Sequence, residues 1–126
     1  MRDVNAAKDI YWIASAREDL RLFPEEVRQV LGYALYLAQT GHKHPDVKPL
    51  KGFGGAGVLE MVEDHEGDTY RAVYTVRFKS AIYVLHAFQK KSKKGIATPK
   101  RDMDVIKERL KLAAEHNADL ERRSGV

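Results

Sequence analysis

The sequence predicts an α+β domain with element order β-α-α-β-β-β-α, in which helices pack on a largely antiparallel four-stranded sheet. Three observations carry this reading. Apolar residues recur at helical spacing over residues 27–38 and again over 103–120. Between those stretches lie strand-like runs separated only by short turn signals, and strands joined that way pair antiparallel. One apolar face on each element is what a single core requires, so residues 1–126 form a single domain.

Residues 9–14, DIYWIA, are short, β-branched and aromatic, which predicts a strand. Ser15 and Glu18 have capping-box spacing, so a short helix is expected to about Leu22. Pro24 can stand in the first turn of the next helix, with Glu25 and Glu26 at the positive end of its dipole. Val27, Val30, Leu31, Ala34, Leu35 and Ala38 mark one face of that helix, and Gly41 ends it. Residues 42–57 carry two prolines and four glycines and read as a loop with one short extended piece. Their glycines lack the Lys and Ser/Thr of a phosphate-cradling loop.

Three strands follow. Val58–Val62 leads into the turn DHEGD. Thr69–Phe78 alternates, with Tyr70, Ala72, Tyr74, Val76 and Phe78 on one face and Arg71, Val73, Thr75 and Arg77 on the other. Ala81–Phe88 is almost wholly apolar, as a central strand covered on both faces would be. Thr98 and Pro99 are placed as N-cap and first residue of a last helix. Its apolar stripe is Met103, Ile106, Leu110, Ala113, Asn117 and Leu120, and its tail, ERRSGV, is expected to fray.

The net charge of +4 hides an uneven distribution. Between Asp68 and Asp102 stand nine basic residues and no acid, while the rest of the chain is net acidic. Clustered cations suit a polyanion such as RNA, because binding releases counterions from phosphates. The plainer alternative is that QKKSKKG is a solvated, lysine-rich loop.

Composition narrows the chemistry. Without cysteine there is no disulfide, thiol nucleophile or cysteine-ligated metal. The five histidines show no metal-binding spacing on a helix, so neither a metal nor another cofactor is expected. No apolar run approaches the roughly 20 residues of a membrane helix, and the first ten residues are too polar for a signal peptide, so no membrane partner and a cytoplasmic location are expected. The acids around residues 60–68 read as a solvated hairpin, since nothing supplies the apolar wall that raises one carboxyl pKa. His86 lies in an apolar strand, where a satisfied core histidine is the commoner case; its nearness to the basic loop keeps it a candidate. Arg71 and Arg77, followed by Gln89, Lys90, Lys91, Lys93 and Lys94, can hold an RNA backbone and stabilise a phosphoryl transition state. Metal-free RNA cleavage asks for little more, since the 2′-hydroxyl attacks, a base takes its proton and cations stabilise the charge.

These residues also carry a resemblance. Tyr70-Arg71-x-x-Tyr74, the strand ending His86-Ala87-Phe88-Gln89-Lys90-Lys91, and Thr98-Pro99 opening the last helix resemble the phage-derived, HigB-like branch of the RelE/ParE toxin superfamily over about residues 9–112. The resemblance implies a RelE-like fold and the toxin of a type II toxin–antitoxin pair, partnered by a helix-turn-helix antitoxin. It also implies an mRNA endonuclease (an mRNA interferase) that works on the ribosome without metal. By position, Arg71, Lys90 and Lys91 match its cationic residues. The chain departs from the family at Glu60 and Val62, where RelE has lysines, and in having no Tyr after the basic loop, so base and acid stay open. The expected catalytic set is Arg71, Lys90, Lys91 and His86. The expected RNA-binding set is Arg77, Lys79, Gln89, Lys93, Lys94, Lys48 and Lys51. The alternatives are a toxin that binds a protein such as DNA gyrase, as ParE relatives do, and a degenerate phage protein that binds only its antitoxin.

Overall fold

The most apolar stretch of the chain becomes the middle of the sheet. In the computed structural model, which describes residues 7–55, 57–91 and 97–125, strand β5 (Ala81–Lys91) lies between β1 (Asp9–Trp12) and β4 (Asp68–Thr75). Beyond β4 come β3 (Val58–His65) and the two-residue β2 (Lys48–Pro49), giving the order β1-β5-β4-β3-β2. Two helices, α1 (Ala16–Arg21) and α2 (Glu25–Gln39), precede β2, and α3 (Lys100–Arg123) ends the fold.

The α+β class holds, but the sheet has five strands and is mixed. The short extended piece expected in residues 42–57 pairs with β3 through Lys48 and Pro49. β1 runs parallel to β5, with Asp9 opposite Ala81, because two helices intervene before the chain returns to that edge. The other pairings are antiparallel. The β3–β4 hairpin turns on Glu66 (φ 50°) and Gly67 (φ 87°), the positive pair of a type I′ turn.

Alternation assigns the two faces of the sheet. Met61, Tyr70, Ala72, Tyr74, Ile82, Val84 and Ala87 pack against Leu20, Phe23, Val27, Leu31 and Leu35 from α1 to α2. Val58, Val73, Tyr83 and Leu85 pack against Ile106 and Ala113 of α3. The α2 stripe is buried as its spacing predicts, apart from the half-buried Val30. Gly41 (φ 85°) ends α2 in a Schellman pattern: His42 N–H donates to the Leu37 carbonyl and Gly41 N–H to that of Ala38.

Four local expectations give way, two of them because a side chain is used elsewhere. Ser15 stands at the start of α1, but its backbone (φ −87°, ψ 11°) is not the extended one a capping box needs, and its hydroxyl donates to Asp19 Oδ2 at 2.8 Å. Pro99, not Thr98, holds the N-cap position of α3, and the Thr98 hydroxyl reaches the sheet instead. β4 stops at Thr75, so Arg77 lies beyond the strand. The tail is helical to Arg123, where Arg122 and Arg123 both pair with Asp119.

One irregularity matters for the site. Val73 pairs with His86 but Tyr74 pairs with Val84, so Leu85 is an extra residue in β5. A bulge of this kind re-aims the neighbouring side chains. Leu85 and His86 both serve the face covered by α3.

Candidate functional site

The bulge, the first turns of α3 and the open part of β3 and β4 meet at one end of the sheet. Arg71 stands mid-strand, 5% exposed. Its NH1 donates to Glu60 Oε2 at 2.9 Å and lies 3.4 Å from Thr98 Oγ1, which itself donates to Glu60 at 3.3 Å. Glu60 thus collects a guanidinium and a hydroxyl. The type I′ turn sets this pairing. It puts Arg71 opposite Val62, so Glu60, two residues back, is its diagonal neighbour on the same face.

Beside this triad runs a chain of polar contacts. His86 Nε2 lies 2.9 Å from Asp102 Oδ1, and Arg109 NH1 lies 3.4 Å from His86 Nδ1. Arg109 cannot accept, so Nδ1 accepts and Nε2–H donates to the carboxylate: a neutral imidazole with both nitrogens engaged. Arg109 also donates to the Leu85 carbonyl at 3.0 Å and to Ser15 Oγ at 3.1 Å, and Ser15 donates onward to Asp19. The bulge carbonyl is thereby satisfied. The His86 ring stacks on Phe88, with centroids 4.7 Å apart and planes at 21°.

Burial lowers the His86 pKa; the Arg109 charge pushes the same way, while Asp102 pulls against both. The folded pKa therefore sits below the ordinary histidine value of about 6.5, and the unfolded chain takes up this proton first. The resulting stability is present above about pH 6.5 and is lost as pH falls through the folded value. Thermal melts between pH 7.5 and 5 should show a fall in stability that flattens in His86→Gln; parallel profiles for the two proteins would contradict it.

The candidates read from the sequence do not form one patch. Lys90 is at the site, with Nζ donating to the Ala97 carbonyl at 3.1 Å. Gln89 pairs with Tyr70 and is exposed. The Lys91 backbone pairs with Asp68, but its side chain and the whole of Lys93 and Lys94 lie outside the described residues. Arg77 and Lys79 are exposed beyond the other end of β4, about 20 Å along the strand direction from Arg71. The expected strand face carrying both arginines therefore does not exist. The Arg77 guanidinium lies 5.8 Å from the Phe78 ring centroid, and Lys79 borders a separate cavity of about 620 Å³ with Tyr11 and Leu120. Lys48 is exposed in β2 and Lys51 in the loop after it. Among the described residues no three His, Asp or Glu side chains come together as a metal site.

Sequence reasoning missed Glu60 as the partner of Arg71, Thr98 as a site residue, and Asp102 and Arg109 altogether. Asp102, Ile106, Arg109 and Ala113 follow helical spacing, so the polar pair could have been read as the flank of the buried stripe.

A model of the family described as Phage derived protein Gp49-like (DUF891) matches residues 18–111, which span every residue of the triad and all of the polar chain beyond Ser15. The chain belongs to this Gp49-like family. No curated protein and no solved structure matches it. Within the Gp49-like match, the sheet contributes Glu60, Arg71, His86 and Lys90, and the segment entering α3 contributes Thr98, Asp102 and Arg109. Among the described residues no helix of the Gp49-like fold is long and apolar enough to cross a membrane.

Proposed function

We propose that this Gp49-like chain is the toxin of a type II toxin–antitoxin pair and acts in the cytoplasm as a ribosome-dependent, metal-free mRNA endonuclease. The observation that carries the reading is the meeting of Arg71, Lys90 and the His86–Phe88 stack at one end of the sheet. A ring stack offers a base platform, and the cations offer charge to a phosphate. Glu60 is the carboxylate beside Arg71, and so the group placed to take the proton of an attacking 2′-hydroxyl. His86, with both nitrogens engaged, acts here as a positioning residue that holds the stack. The partner expected on this reading is a helix-turn-helix antitoxin.

The neutralisation of Arg71 by Glu60 favours the second reading, a toxin that binds a protein such as gyrase. Primer extension on mRNA in a reconstituted translation mix separates the two. The wild type should give cuts that require ribosomes. Lys90→Ala, whose Nζ donates to the Ala97 carbonyl near the surface, should reduce them on the order of 10²-fold without changing the melting temperature. Arg71→Gln tests the guanidinium while keeping a donor toward Glu60. A folded wild type that arrests growth but leaves mRNA intact would sink the nuclease reading and support the protein target.

A further inference from the structure

The outward face of α2 has a composition that the fold itself does not need. Val27, Leu31, Ala34, Leu35 and Ala38 point to the sheet. On the opposite stripe lie Glu25, Gln29, Gly32, Tyr33, Tyr36 and Thr40. Tyr33 and Tyr36 are each 55% exposed. Gly32 sits in mid-helix, where glycine is a much poorer helix former than alanine. A Cβ at Gly32 would meet nothing within 4 Å. Neither packing nor backbone conformation within this chain explains the glycine. A surface that another helix approaches closely does.

The order of residues along the stripe identifies that helix. Acid stands at one end (Glu25 and Glu26), Tyr33 and Tyr36 stand in the middle, and His42, Lys43 and His44 follow the other end. His44 is folded against Tyr33, ring centroids 6.0 Å apart, which brings this basic end onto the stripe. A twofold axis between positions 34 and 35 turns this order onto itself. Tyr33 then faces Tyr36 of a second copy and Gln29 faces Thr40, while Gly32, without a side chain, leaves the partner helix room to approach. The acidic end of each helix meets the basic end of the other, and the two helix dipoles run antiparallel. We infer that α2 is the self-association surface of this protein, pairing antiparallel with α2 of a second copy about its two tyrosines.

The ends approach only if the helices cross at a shallow angle, roughly 20°, the packing of antiparallel bundles. One helix face is smaller than the about 800 Å² per partner of a standard interface. The dimer is therefore a reversible one.

Sedimentation equilibrium on the full chain tests this. The wild type should shift from monomer to dimer with concentration. Tyr33→Glu/Tyr36→Glu places four like charges at the axis and should leave only monomer. Lys43→Glu sets acid against acid at both symmetric ends and should raise Kd about tenfold or more. Glu26→Lys/Lys43→Glu exchanges the two ends, since position 26 faces position 43 of the second copy, and should restore the wild-type Kd. All of these positions are exposed, and circular dichroism checks the fold. A wild type that stays monomeric to millimolar concentration overturns the inference and leaves the face to a different protein. A dimer that persists in the double-tyrosine variant, or a swap that does not restore Kd, also overturns it.

Discussion

Glu60→Ala should cost about 3–5 kcal/mol of folding stability, because it removes the carboxylate that balances a buried guanidinium. Arg71 is 5% exposed and Glu60 14% in their side chains, so solvent can compensate little. In a domain of this size that loss lowers the melting temperature by roughly 10–20 °C. Removing both charges, as Glu60→Leu/Arg71→Met, should return most of the stability, since a hydrophobic pair of similar volume is often as good as a buried ion pair. Denaturant melts of the three proteins check this. A single variant within about 1 kcal/mol of wild type would show that Arg71 is solvated after all. The double variant also separates structure from function: a stable fold that no longer gives the ribosome-dependent cuts proposed above would mean the ion pair is kept for chemistry.

Arg109→Ala should cost about 2–4 kcal/mol, as its guanidinium ties α3 to the β5 bulge and to α1 through Leu85 and Ser15. Truncation leaves the Leu85 carbonyl without that donor. The same change should raise the His86 pKa, because a cation that lowers it is gone. NMR titration of the imidazole reads that shift separately from stability. A destabilised variant whose His86 titrates as in wild type would contradict the geometry assigned to Nδ1.

Much of the fold was legible because its signals are local. In α2, Val27, Leu31, Ala34, Leu35 and Ala38 repeat at the spacing of a buried face, and Gly41 supplies the positive φ that ends it. Alternation in β4 placed Arg71 opposite Tyr70 correctly. The rest depends on tertiary choices. Thr98 has every local reason to cap α3 yet serves Glu60, across 38 positions of chain. Nothing around Leu85 marks a bulge, so the turning of His86 toward Asp102 could not be read. Arg77 continues the alternating pattern of β4 after the pairing has ended, which is why a periodic reading joined it to Arg71. The two-residue β2 is too short to give any periodicity of its own.

The parallel edge pairing dictates an order of assembly. β1 docks in register with residues 81–84, some seventy positions away, so its partner is made long after it. On the growing chain β1 has no partner until β5 has been made. α3 comes later still and brings Thr98, Asp102 and Arg109. A nascent chain therefore carries Arg71 and Glu60 well before it carries their surroundings. Whatever this site does, it begins only once translation of the chain has passed α3.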